Sequence, residues 1–216
     1  MLEQLTQLTN SSHFRDNGHF SVLEVIAPPP RDKVVFRVEV VLHDPASYES
    51  TRQVWEVACS EVLDMGGLLD HNWPYSCLNV YAQHPVLYNF ESPEATLHLY
   101  PPYSNIPALI GALYLAHGTA CGHWVNFQNT VYHLAEQLQP RDEVAELLLP
   151  APLVPEYTKA CQQQGVACSV VATQAAGYNS NTLHALVLGA PEACPDDFKL
   201  WQPYIVAHRF EERRIE

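Results

Sequence analysis

Residues 93–129, PEATLHLYPPYSNIPALIGALYLAHGTACGHWVNFQN, specify their own structure more fully than any other stretch of the chain. Ala95, Leu97 and Leu99 alternate with Thr96, His98 and Tyr100, the period-two pattern of a strand with one buried face. Pro101 and Pro102 end it, because proline has no N–H to give to a ladder. A helix is expected next. Asn105 suits its N-cap and Pro107 its first turn, where an N–H has no intrahelical partner in any case. Leu109, Ile110, Leu113, Tyr114 and His117 then recur at three- and four-residue spacing, and Gly118 reads as the C-terminal stop. Gly111 lies mid-helix, where glycine costs roughly 1 kcal/mol against alanine, so close packing against a strand is its expected reason. Residues 122–127, GHWVNF, are expected to fold back on the sheet.

The same block holds the densest chemistry. His117, Cys121 and His123 are one possible set of zinc ligands, since zinc takes neutral imidazole and thiolate. Their spacing matches neither a paired-cysteine site nor the His-Glu-x-x-His helix. The competing reading makes His117 a favourable charge at a helix C-terminus and Cys121 a small buried apolar residue.

Composition bounds the rest. The 216 residues are 47% hydrophobic and 16% charged, enough for a sizeable core and unlike a disordered chain. The net charge of −13 divides into −6 over residues 1–88 and −7 over 89–216, so there is no acidic tail. Such a balance repels phosphate backbones, which argues against nucleic acid, and suits a basic protein partner. Residues 1–12, MLEQLTQLTNSS, lack the basic and apolar regions of an export signal, and no apolar run approaches the ~18 residues of a membrane span. Six scattered cysteines with no C-x-x-C then read as reduced and mostly buried, and the expected compartment is the cytoplasm. Cys161 and Cys168 flank a helix–strand turn at a spacing with no established redox mechanism, and they too read as buried thiols.

In chain order, residues 1–10 form a short amphipathic helix with Leu2, Leu5 and Leu8 on one side. It serves either as a docking arm or as a terminal helix packed on its own domain. Residues 20–27 and 33–43 form an antiparallel hairpin, with Phe36, Val38, Val40 and Leu42 sharing one face. Residues 44–65 open with a helix-start signal. However, 53–63 (QVWEVACSEVL) alternate Trp55, Val57 and Cys59 against Glu56, Ala58 and Ser60, so a third strand of the meander is expected, ended by Gly66-Gly67. Another strand follows at 76–82. After the central block come a helix at 131–139, a strand at 144–149, a helix at 155–164 stopped by Gly165, and strands at 166–173, 183–189 and near 204–207. The fold class is α+β: an antiparallel meander over 1–92, then a smaller mixed module over 93–216, packed as one compact unit.

No glycine-rich phosphate loop, nucleophile elbow, calcium loop or basic cluster occurs. Two functions from different classes stay open. The first is a non-catalytic protein that binds another protein, an inhibitor or immunity-type role being one form of it. It needs no cofactor, and its binding surface draws on the aromatic loops: His71, Trp73 and Tyr75, then Tyr88 and Phe90, and Trp124. The alternative is a metal-dependent hydrolase with zinc held by histidines of residues 70–133, where six of the eleven histidines fall.

Overall fold

A computed structural model describes residues 2–29, 32–68, 74–122, 124–131, 134–139, 142–174, 182–189 and 202–216. In chain order its helices and strands are α1 (Glu3–Thr9), α2 (Ser12–Asn17), β1 (Gly18–Ile26), β2 (Lys33–His43), β3 (Ser50–Gly66), β4 (Leu78–Tyr81), α3 (Tyr88–Glu91), β5 (Glu94–Tyr100), α4 (Ile106–Cys121), α5 (Phe127–Val131), α6 (Leu134–Gln137), β6 (Ala145–Pro150), α7 (Val154–Gln163), β7 (Ala167–Gln174), β8 (His184–Leu188) and β9 (Tyr204–Arg214). The class is α+β, as the sequence implies. Contacts divide the chain into two units. One gathers the described residues of 1–84, 182–189 and 202–216, the other those of 85–174.

The first unit is a curled antiparallel sheet of order β1-β2-β3-β9-β8-β4. Its spine is the β2–β3 ladder, paired without a slip from Lys33↔Ser60 to His43↔Ser50. Strict alternation fixes that register: Val34, Phe36, Val38 and Val40 of β2 and Trp55, Val57 and Cys59 of β3 are all buried. A slip of one residue would turn both sets to solvent. Residues 50–66 are therefore strand throughout, and β3 is longer than its alternation alone suggests. It bends at an irregularity between Val62 and Asp64, next to Glu61 at φ +55°. The curl brings opposite edges together: the Phe20 N–H donates to the Tyr75 carbonyl at 3.0 Å and the Tyr75 N–H returns to Phe20 at 2.7 Å. Leu2 and Leu5 of α1 enter this core, so the first helix packs on its own unit. Its first N–H groups have no cap in their own segment, and the Glu212 carboxylate of β9 accepts from Gln4 N at 2.7 Å and Leu5 N at 2.9 Å.

Here the structure corrects the reading of the C-terminal third. Strands β8 and β9 lie beyond residue 93, yet they pair with β4 and β3 and complete the first sheet, not the later module. β9 also runs on through the charged end to Arg214, paired with β3 from Ala58↔Glu211 to Trp55↔Arg214, and Arg213 reaches Glu56 at 2.6 Å.

The second unit is a three-stranded antiparallel sheet, β6-β5-β7. Leu97 and Leu99 of β5 and Leu147 and Leu149 of β6 share one buried cluster with Leu109 and Leu113 of α4 and Tyr157 and Cys161 of α7. Asn105 caps α4 as expected, its side-chain oxygen accepting from Ala108 N at 3.1 Å. Gly118 does not end the helix. α4 continues one turn to bury Cys121, and Gly122 at φ +58° follows. Burial of the last turn outweighs the weak local preference for a stop at glycine. The expected close packing at Gly111 is also absent: a Cβ there would meet nothing within 4 Å. Of the helix expected over 131–139, α6 covers Leu134–Gln137 and Val131 ends α5, while residues 132 and 133 lie outside the described residues. α7 ends in a Schellman turn: Val166 N donates to Cys161 O at 2.9 Å and Gly165 N to Gln162 O at 3.0 Å, with Gly165 at φ +71°.

Candidate functional site

His117 sits on α4 one turn before its end and is 2% exposed. One ring nitrogen, Nε2, lies 2.7 Å from the Val125 carbonyl, which only accepts, so Nε2 carries the proton. The lone pair on Nδ1 then accepts from the Tyr157 hydroxyl at 2.8 Å. Burial holds the His117 pKa below its ordinary value, against the weaker opposing pull of the Val125 carbonyl, so the ring is neutral at pH 7. Cys121, one turn on, donates to the His117 carbonyl at 3.3 Å, and burial pushes its thiol up to about 12. Two members of the expected zinc set thus meet, but the core already uses both imidazole nitrogens and keeps the thiol protonated. His123, the third, lies outside the described residues. Among the described residues no group of three or more His, Cys, Asp or Glu side chains is placed to hold a metal ion.

Of the remaining histidines of residues 70–133, His84 and His98 are described. His98 alternates with the buried Leu97 and Leu99, so it faces away from the core helices and bonds Glu146 at 2.8 Å. His84 stacks on Tyr81. His71 and His133 lie outside the described residues.

The aromatic candidates part in the same way. His71 and Trp73 lie outside the described residues. Tyr75 is held by its bridge to Phe20 and packs on the first core, with its hydroxyl buried and unbonded. Tyr88 packs on the second core, Phe90 is half-buried and Trp124 is buried. None of these four described aromatics is fully exposed.

Exposed apolar side chains occur at several places among the described residues, Leu23, Ile26 and Tyr48 of the first unit included, and those of α4 stand on a helix without charge. This helix has no Asp, Glu, Lys or Arg in 16 residues. Leu109, Leu113, His117 and Cys121 fill its inner stripe, while Pro107, Gly111, Tyr114, Leu115 and Thr119 form an outer one. Tyr114 is 58% and Leu115 70% exposed. A Cβ at Gly118 would meet nothing within 4 Å either, so the outer face is shallow around one projecting leucine. The chain matches no family model, no curated protein and no solved structure. No helix of the described residues is long and apolar enough to cross a membrane, and α4 falls short of the ~20 residues a span requires. The lack of charge on α4 was present in the sequence, but it signals burial on every side and not an exposed face.

Opposite the helices, the second sheet is partly apolar as well. Leu148, Val170 and Val171 are about half exposed, and seven of the eight residues of β7 are exposed. The edge of β6 is partly covered, since Gln137 accepts from Glu146 N at 2.7 Å.

Proposed function

We propose that this chain is a non-catalytic protein that binds another protein through the outer face of α4. The observation that carries the reading is the uncharged stripe of Pro107, Gly111, Tyr114, Leu115 and Thr119 on a chain of net charge −13. Exposing such a face costs solubility unless something covers it. The glycines at 111 and 118 let a partner's backbone approach closely, and Leu115 is the knob that enters its groove. A partner with an apolar groove and a basic rim fits the uncharged helix on a chain of net charge −13. The hydrolase alternative is weakened by the bonds that already occupy His117.

The test uses immobilised full chain and its Leu115→Glu variant, each exposed to native lysate at physiological salt. The reading expects a stoichiometric protein retained by the wild type and lost by the variant, both folded by circular dichroism. Retention of nothing specific, or of the same protein by both, would overturn it.

A further inference from the structure

Five cysteines are described, all as free thiols: Cys59, Cys77, Cys121, Cys161 and Cys168. Four are buried. Cys168 is the exception, on an edge strand otherwise open to solvent. The Schellman turn at Gly165 folds β7 back along α7, and the pairing of Leu99 with Cys168 fixes the strand's register. Cys168 Sγ consequently lies 4.0 Å from the Thr158 carbonyl, on the turn of α7 just before Cys161. A helical side chain leans back over the turn that precedes it, so the Cys161 thiol covers the same place. Burial raises the pKa of the Cys161 thiol, and the neighbouring Cys168 thiol raises it further. Cys161 is fully enclosed in the second core, while Cys168 is packed against that core with part of its surface in water.

From this juxtaposition we propose that Cys161 and Cys168 form an oxidisable dithiol, which a hydroperoxide closes to a disulfide joining α7 to β7. The part-exposed Cys168 sulfur attacks the terminal peroxide oxygen. The O–O bond breaks, the alcohol or water leaves with a proton, and Cys168 becomes a sulfenic acid. Cys161 sulfur then attacks Cys168 sulfur. An S–S bond forms, the S–O bond breaks and water leaves carrying the Cys161 proton. Two thiols are oxidised by two electrons and one peroxide is reduced. Cys161 is suited to the resolving role, because it is enclosed while Cys168 meets water. Its burial keeps it protonated and pushes its thiol up to about 12, so closure is slow at neutral pH and accelerates as pH rises. The turn at Gly165 supplies the loop that lets the bond close within one helix–strand corner, and closure ties down the exposed edge strand.

The experiment treats the folded full chain with hydrogen peroxide, with Cys194 changed to serine because it shares the stretch between Lys159 and Lys199 with the pair. After quenching and denaturation, the remaining thiols are counted and the fragment mapped by mass spectrometry. The proposal expects two thiols lost together, a mass lower by two hydrogens assigned to Cys161–Cys168, reversal by a reducing dithiol, and a faster reaction at higher pH. Replacing the part-exposed Cys168 with serine should abolish the reaction without unfolding the chain. Oxidation of Cys168 to a sulfinic or sulfonic acid while Cys161 stays a thiol would overturn it. So would a disulfide to Cys121, unchanged thiols, or the same two-thiol loss in the Cys168→Ser chain.

Discussion

In the first unit the outermost strands β1 and β4 belong to one curled sheet whose rims meet, with Phe20 bridging Tyr75 just ahead of β4. In the second, β6 and β7 stay at opposite edges of a three-stranded sheet, and the helices cover one face. The outer surface of the first sheet carries interlocked charges, with Glu56 between Arg37 and Arg213 at 3.4 and 2.6 Å. In the second unit the outer surface of α4 carries no charge and exposes Tyr114 and Leu115. The rims of the first sheet meet at a single bridge, and Leu23 and Ile26 of β1 stay exposed beside its charges. Binding is placed on the second unit because α4 exposes its apolar side chains with no charge on the same helix.

The comparison can be broken most sharply in the two cores. Tyr157→Ala removes the second unit's largest enclosed side chain and the donor to His117, and is expected to cost about 3–5 kcal/mol. Hydrogen exchange should show protection lost over β5–β7 and retained over β1–β3; equal loss in both would contradict the separation. His117→Gln comes next, at about 1–3 kcal/mol, since a longer amide cannot satisfy both the Tyr157 hydroxyl and the Val125 carbonyl. The sign of its pH dependence follows from the lowered pKa. Below about 6.5 the unfolded chain takes a proton on this ring that the folded chain refuses, so stability falls with pH, by at most about 1.4 kcal/mol per unit, until the folded pKa is reached. Denaturant titrations at pH 7 and 5.5 should show that slope reduced in the glutamine variant. In the first unit, Gly66→Val is expected to cost about 1–3 kcal/mol. Even a Cβ there would lie 2.5 Å from the Tyr204 ring, whose hydroxyl bonds Asp64 at 2.9 Å.

Two smaller effects sharpen the contrast. Gly111→Ala and Gly118→Ala should each stabilise by about 0.5–1 kcal/mol, because the new methyl meets nothing and helix propensity improves. Leu115→Glu should change stability by less than about 0.5 kcal/mol, as an exposed position does, while removing the partner.

The hairpin, the β3 alternation, the N-cap at Asn105 and the stop at Gly165 were legible because each rests on residues within a few positions of one another. The membership of β8 and β9 was not, because pairings such as Cys59↔Phe210 depend on register across the whole chain. Gly118 misled because a local stop signal competes with the burial of Cys121, which only tertiary packing reveals. The burial of the aromatics of residues 75–124 was not legible, because composition cannot separate a loop that closes a core from one that faces water. The charge-free run of α4 was readable, but its exposure was not: an all-apolar helix is ordinarily buried on every side.

The account's central claim is most directly tested by measuring the affinity of wild-type and Gly111→Ala chains for the retained partner, with thermal midpoints alongside. It predicts that the methyl group raises the midpoint yet weakens binding by tenfold or more, about 1.4 kcal/mol, because it stands where the partner's backbone must approach. Equal affinity in the more stable variant would contradict it and remove α4 from the interface.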